Sequence, residues 1–553
     1  MSDTTLVYTN ATVHTMDAEL STVDAFAVAD GRIVATCERA HALLAEGAES
    51  VDLGGRTVLP GLIDAHIHHA QGGKKALFDF NIPPTAGLEE ILQAIGRAVA
   101  ELPEGAWLTG GSVGSGLIDQ VNSAQTLARL DEISAGHPVL LTDDSIHNRW
   151  ANSAAMELAG IDAITPDPEG GQICRDAKGQ PTGWLVEAAG MMAEKAKERV
   201  APFGLDKLME ASAQGVAECN SFGITGFQDA ATSQQIMQAV HRLDTEGRLN
   251  AWVVSSTPVE EFIFGFDPVG QEVIEAMPDT ASEHHRPTFI KIFLDGVPPT
   301  RTAAFLNPYK GMSESDPCSH GKMTMSQDKL AGWLLRTAAL GVGAKIHCTG
   351  DASVRAVLDA VAQVRAAGYA HVRYQVAHGQ FIATEDLPRF AELNVSADIS
   401  PAIWYPGVIA ETFHEVLDEP QASEVQPNRL LLEHGARIAA GSDWPVAPTP
   451  NPWPAIYGLV TRKDPSGSFP GTLWAEQAMT ISEALVSYTR AAAEAAGLED
   501  VTGSLEVGKS ADFIVLPIDP MHCPIEQVIE LRPEATYFAG RRVYTAVADT
   551  ARG

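Results

Sequence analysis

The sequence predicts an α/β fold: a (β/α)8 TIM barrel with a composite β-sandwich built from both termini and a large insertion after barrel strand 1. Three observations predict it. Apolar, strand-like runs alternate with helical stretches through the middle of the chain, as a parallel α/β fold requires. Both ends read instead as short alternating strands broken by Asp-Gly and Gly-Gly turns. Finally, ligand-type side chains recur at the ends of the apolar runs, where barrel enzymes place their chemistry.

Residues 1–58 supply TLVYTNATVHTM, DAFAVADGRIVATC and SVDLGGRTVLP, and residues 501–553 supply GSLEVGKSADFIVL and ATYFAGRRVYT. Neither set is long enough to bury a core alone, so the two are expected to pair into one sandwich. Residues 59–500 form the barrel. Its eight candidate strands are TVLPGLIDAHIH, GITGFQDA, LNAWVVSS, TFIKIFLDG, VGAKIHC, VRYQVAHG, NVSADIS and ARIAAGSDW. Helical stretches such as 328–340 and 351–368 lie between most of them. The stretch from His68 to Ile224 far exceeds one β/α unit. An insertion over about 70–220 explains it, with a hairpin in GGQICRDAKGQPTGW, a strand in HPVLLTDD, and a place over the active-site mouth.

Composition narrows the function. A balance of 38 Lys+Arg against 71 Asp+Glu gives a net charge of −33, which repels phosphate backbones and anionic lipid. No nucleic-acid or membrane partner is expected, and no apolar run is long enough to span a bilayer. The opening MSDTTLVYTNATVHTMD lacks a basic start and apolar core, so no signal peptide is expected. Six cysteines scattered without CxxC spacing fit reduced thiols in a cytoplasmic protein. A strand followed by GxGxxG is absent, which argues against a dinucleotide-dependent oxidoreductase.

His66 and His68 are spaced i, i+2, which on a strand puts both imidazoles on one face about 7 Å apart along the chain. Such a pair suits a zinc-class ion, although HxH alone is a modest signal. Lys291 interrupts an apolar strand. It is either a snorkelling or ion-paired side chain, or an amine of lowered pKa that captures carbon dioxide as a metal-bridging carbamate. His347 and His378 each end a strand at a spacing that suits one β/α repeat; each alone reads better as a hydrogen-bonded core histidine. Asp443 ends ARIAAGSD, where a carboxylate can cap a helix or bind metal and take a proton from water. The set carries more weight than its members: these residue types fall on candidate strands 1, 4, 5, 6 and 8, in that order.

With those segments in view, the chain resembles the amidohydrolase superfamily, and within it the family-3, YtcJ-like group that includes N-substituted formamide deformylases. The likeness runs through PGLIDAHIH, PTGWLVEA, GITGFQDA, FIKIFLDG, IHCTGD, VAHGQ, GSDWPV and GSLEVGKSADFIVL. It implies one or two Zn²⁺ ions. His66 and His68 would hold the more buried ion, carboxylated Lys291 would bridge, His347 and His378 would hold the second, and Asp443 would bind metal and shuttle protons. The implied reaction is hydrolysis of a small-molecule N-acyl or N-formyl amide. Deamination of a heterocyclic or exocyclic amine on the same site, and a non-catalytic binding or regulatory protein on this scaffold, are the alternatives. A homodimer is an option the resemblance leaves open. One segment departs from the pattern: LDGVPPTRTAA follows Lys291 where relatives often read ADGSLGSRTA, so Pro298-Pro299 alter the loop beside the metals.

Substrate-binding candidates are His147, Glu187, Arg301, Trp404 and Trp444, with Tyr405 beside them, although aromatic residues there pack as readily as they line a pocket. His147 or Arg301 would assist the oxyanion. His69 should face away from the His66/His68 pair as a structural residue. His284 and His285 precede strand 4 at the opposite end of the barrel and are expected to be solvated, and His434 lies on that stability face too.

Overall fold

The computed structural model describes residues 5–83, 85–143, 148–168, 170–260 and 268–546. At its centre is an eight-stranded parallel sheet in strict chain order. Its strands are β1 (Leu62–Ile67), β2 (Ile224–Asp229), β3 (Trp252–Pro258), β4 (His285–Phe293), β5 (Gly343–Cys348), β6 (Tyr374–His378), β7 (Val395–Ile399) and β8 (Arg437–Ala440). All eight expected barrel strands are present in the expected order. They are apolar because both faces are covered, one by the barrel interior and one by the helical layer.

Closure between β8 and β1 is made beyond the end of β8. The Asp443 amide donates to the His66 carbonyl at 2.7 Å, and the His68 amide to the Trp444 carbonyl at 2.8 Å. The Asp64 carboxylate accepts the Ser442 amide at 3.0 Å, so a side chain replaces a ladder bond. A Cβ on Gly441 would lie 2.3 Å from the His66 nitrogen and 2.6 Å from Asp64 Oδ1. Only glycine lets the two strand ends approach this closely. The seam of the barrel is therefore also the place where His66, His68 and Asp443 are brought together.

Helices His69–Leu77 and Leu205–Ser221 pack together just after β1 and just before β2. Cβ atoms on Gly73 and Gly215 would strike the carbonyls of Ala211 and His69, so the two backbones are in contact. They pinch the base of the excursion. Within it, strands Leu108–Val113, Val139–Asp143, Arg149–Ala151, Pro181–Glu187 and Gly171–Arg175 form a separate five-stranded sheet. The expected hairpin pairs Gly171–Arg175 with Pro181–Glu187. Ile91, Leu92, Ile95, Leu130, Leu141, Trp150 and Trp184 give this sheet its own core, so the excursion is a folded layer rather than a long loop.

The chain ends share one eight-stranded sheet in which Phe513–Leu516 pairs with Glu49–Pro60, itself paired with Leu6–His14. The sheet folds over on itself, with Arg32 bridging to Ser510, around Tyr8, Phe26, Phe513 and Tyr537. Tyr8 stacks on Phe26 at 4.9 Å and meets Phe513 edge-on at 5.0 Å. Helix Cys37–Ala45 is absent from the sequence reading. Ala40, Leu43 and Leu44 fall on one helical face and cover Val7, Ala25, Ala27 and Ala35, a 3.6-residue period too short to stand out beside the strands.

Candidate metal centre

Each of the six predicted ligands lies at or just beyond the C-terminal end of its barrel strand, or near it in β4, and all six converge. His66 Nε2 lies 3.6 Å and His68 Nε2 3.4 Å from Asp443 Oδ1. One donor atom from each of the three residues lies within 4.8 Å of the others. Lys291 Nζ is 3.5 Å from His66 Nε2. The His66 and His378 rings are 4.6 Å apart between centroids, and those of His378 and His347 are 4.7 Å apart. The donors thus divide into a compact group of three and an adjoining pair of imidazoles, with the Lys291 amine against the first.

Burial sets their protonation. His66 and His378 are held well below the ordinary imidazole range, first by desolvation and then by neighbouring cations, so both offer neutral lone pairs. Lys291 is lowered to about 7, first by burial and then by the nearby Lys345 cation, while Asp443 and Asp398 pull the other way. Asp64 is pushed up to about 7 by burial against the amides it accepts.

Two partners orient the set that sequence reasoning passed over. Asp398, on β7, accepts a hydrogen bond from His66 Nδ1 at 2.8 Å, which fixes the tautomer and leaves Nε2 turned toward His68 and Asp443. Lys345, two residues before His347 on β5, is completely buried; its Nζ donates to the Ala65 carbonyl at 2.8 Å and to Asp398. The i, i+2 relation of Lys345 to His347 is the sequence signal for it, and in the sheet it lies in direct register with Lys291. A third, Asp295, accepts the amides of Ala304, Thr349 and Gly350 at 3.0 Å each, tying the loops after β4 and β5 together beside His347.

The backbone marks the same place. His378 has φ 69° and Asp443 φ 58°, left-handed conformations that cost free energy for residues with a Cβ. A donor set of neutral imidazole nitrogens and a carboxylate oxygen fits a zinc-class ion, and His66 already carries the orienting carboxylate that metal-binding histidines have.

The amidohydrolase family model Amidohydro_3 matches residues 49–544. The chain belongs to this amidohydrolase family. It is 31% identical over 543 residues to an N-substituted formamide deformylase of Arthrobacter pascens, with 97% of each chain covered. It is 27% identical to the putative amidohydrolase YtcJ of Bacillus subtilis, covering 96% of this chain and 98% of that one. In three dimensions it is similar to an uncharacterized metal-dependent hydrolase from Pyrococcus horikoshii, with a TM-score of 0.75, 23% identity, and 94% and 99% of the two chains covered. The amidohydrolase is accordingly a hydrolase of carbon–nitrogen bonds other than peptide bonds.

The other site candidates of the amidohydrolase are more dispersed. His147 lies outside the described residues. Glu187 ends an insertion strand, half-buried at φ 49°. Arg301 is exposed at φ 59°, directly after the 3-10 turn Pro298–Thr300 that the two prolines impose. Trp404, for which pocket lining and packing were both open, is completely buried, with the Arg462 guanidinium 4.3 Å over its ring; Tyr405 stands 6.4 Å away. Trp444 is nearly as buried, and its ring occupies the space a Cβ on Gly72 would need.

The four other histidines weighed from the sequence divide as follows. His69 is buried with Nδ1 2.5 Å from Asp229, a structural pair as expected. His434 is exposed before β8. The expectation of solvated His284 and His285 is wrong. His285 is fully buried inside β4, bonded to Ser255 Oγ at 2.9 Å and the Thr280 carbonyl at 2.7 Å, while His284 holds Asp244 at 2.7 Å. Being at the base of a barrel does not expose a side chain when β3 and the preceding loop cover it.

Among the described residues, no helix is long and apolar enough to cross a membrane.

Proposed function

We propose that this chain hydrolyses a small N-formyl or N-acyl amide, using one or two zinc-class ions held by His66, His68, Lys291, His347, His378 and Asp443. The observation that carries the reading is the meeting of His66, His68 and Asp443 at the barrel seam, with one donor atom from each within 4.8 Å of the others. The end-to-end similarity to a formamide deformylase supports the substrate class.

A zinc-class ion at these donors supplies Lewis acidity toward the amide carbonyl and activates water near neutral pH. The chain's own residues do the rest. Asp443, aimed by its φ of 58° and by the hydrogen bond its backbone N–H donates to the His66 carbonyl, accepts the proton of the attacking water. It then delivers that proton to the departing nitrogen, giving an amine and a carboxylic acid. Asp398 holds the His66 ring against rotation through this cycle. Lys291, neutral when its surroundings keep it near 7, adds through nitrogen to carbon dioxide and releases a proton, forming an anionic carbamate. Arg301, next to the altered proline loop, is assigned to the substrate side.

The experiment is turnover of a panel of N-formyl, N-acyl and cyclic amides by zinc-reconstituted protein, read as amine and acid released. Asp443→Asn should lower kcat by on the order of 10²- to 10⁴-fold. Ammonia as the product would replace this reading by deamination, and full turnover in Asp443→Asn would remove Asp443 as the proton carrier.

A further inference from the structure

A second group of metal-type donors lies outside the barrel, where the two ends of the chain meet. His14 closes the strand Leu6–His14, and Asp519 and His522 lie in the loop after Phe513–Leu516. The strand Glu49–Pro60 runs between those two strands, so the cluster reaches across it. His14 Nε2 lies 3.0 Å from both Asp519 oxygens, and His522 Nδ1 lies 2.8 Å from Asp519 Oδ2. The two rings are 6.2 Å apart between centroids. One donor atom from each of the three residues falls within 4.8 Å of the others.

We propose that His14, Asp519 and His522 form a second binding site for a zinc-class divalent ion, one that joins the N- and C-terminal segments of the terminal sheet. Two imidazoles and one carboxylate are the donor set such an ion takes, and bonds of about 2.1 Å in tetrahedral geometry would put neighbouring donors about 3.4 Å apart. The observed spacings of 2.8 and 3.0 Å need only a few tenths of an ångström of opening.

The surroundings are arranged for binding. His14 is buried, and its second nitrogen, Nδ1, is 3.3 Å from Thr22 Oγ1, which orients the ring with Nε2 turned toward Asp519. Asp519 is fixed by its own turn: Oδ1 accepts the Met521 amide at 2.9 Å, and its carbonyl accepts the amides of His522 and Cys523. His522 is 76% exposed, which leaves an entry path and a coordination position open to solvent. The site is separate from the barrel centre, since none of its residues is among the six donors there.

The test is zinc stoichiometry of the full chain, wild type against His522→Ala and His14→Gln, by elemental mass spectrometry after equilibration with micromolar zinc. His522 is a surface residue and its loss leaves the fold intact. The expected result is one equivalent fewer in each variant, with amidase turnover unchanged in His522→Ala and the zinc-dependent rise in Tm reduced. Cobalt substitution provides a second readout, with the visible bands of one cobalt site disappearing in His522→Ala. Equal metal content and equal cobalt spectra in wild type and both variants would overturn the proposal.

Discussion

His66 and Asp398 stand 332 residues apart in sequence and 2.8 Å apart in space, joined by an Nδ1–H to Oδ2 hydrogen bond at the barrel's interior. That bond decides which imidazole nitrogen is presented to metal. Asp398→Asn keeps the shape but weakens the acceptor and removes the charge that Lys345 also uses. Zinc affinity, measured by competition with a chromogenic chelator, should fall by about 10- to 100-fold. An unchanged affinity would show that the orientation of His66 is set elsewhere.

Lys291 is buried against His66 and within the field of Lys345, an environment that disfavours an ammonium. Lys291→Ala is expected to lose bound metal and turnover together. A short carboxylic acid, entering the space left by the side chain, should restore part of both. Metal content equal to wild type would take Lys291 out of the centre.

His285 makes the fold sensitive to mild acid. Burial, partly opposed by the hydrogen bond to Thr280, lowers its pKa from 6.5 to about 4. Between those values the unfolded chain binds a proton that the folded chain refuses. Its contribution to stability is therefore fully present above pH 6.5 and lost as pH falls toward 4, amounting to roughly 3 kcal/mol. Tm should fall across that window in wild type, and the slope should flatten in His285→Gln. A slope identical in both would assign the acid sensitivity to other groups.

Much of this architecture is legible because one chemical pattern is repeated. Apolar runs ending in His66-Ile-His68, His347, His378 and Asp443 announce both the strands and the end at which they meet. Partners such as Asp398 and Lys345 are harder to see. Each is a single charged residue inside an apolar strand, and only the barrel's closure shows that they face each other and His66. His284 and His285 show the converse: sequence places them at the strand base, but the covering Ser255 and Thr280 come from other segments. Trp404 shows a similar limit. Sequence puts an aromatic residue after β7, while the Arg462 side chain that packs on it comes from a separate helix end.

The central claim is that the seam between β8 and β1 holds the catalytic metal. Anomalous diffraction at the zinc edge, from crystals of the zinc-loaded chain, tests it most directly. A peak bounded by His66 Nε2, His68 Nε2 and Asp443 Oδ1 is the predicted result. A zinc-loaded, active protein with no peak at those three atoms would contradict it.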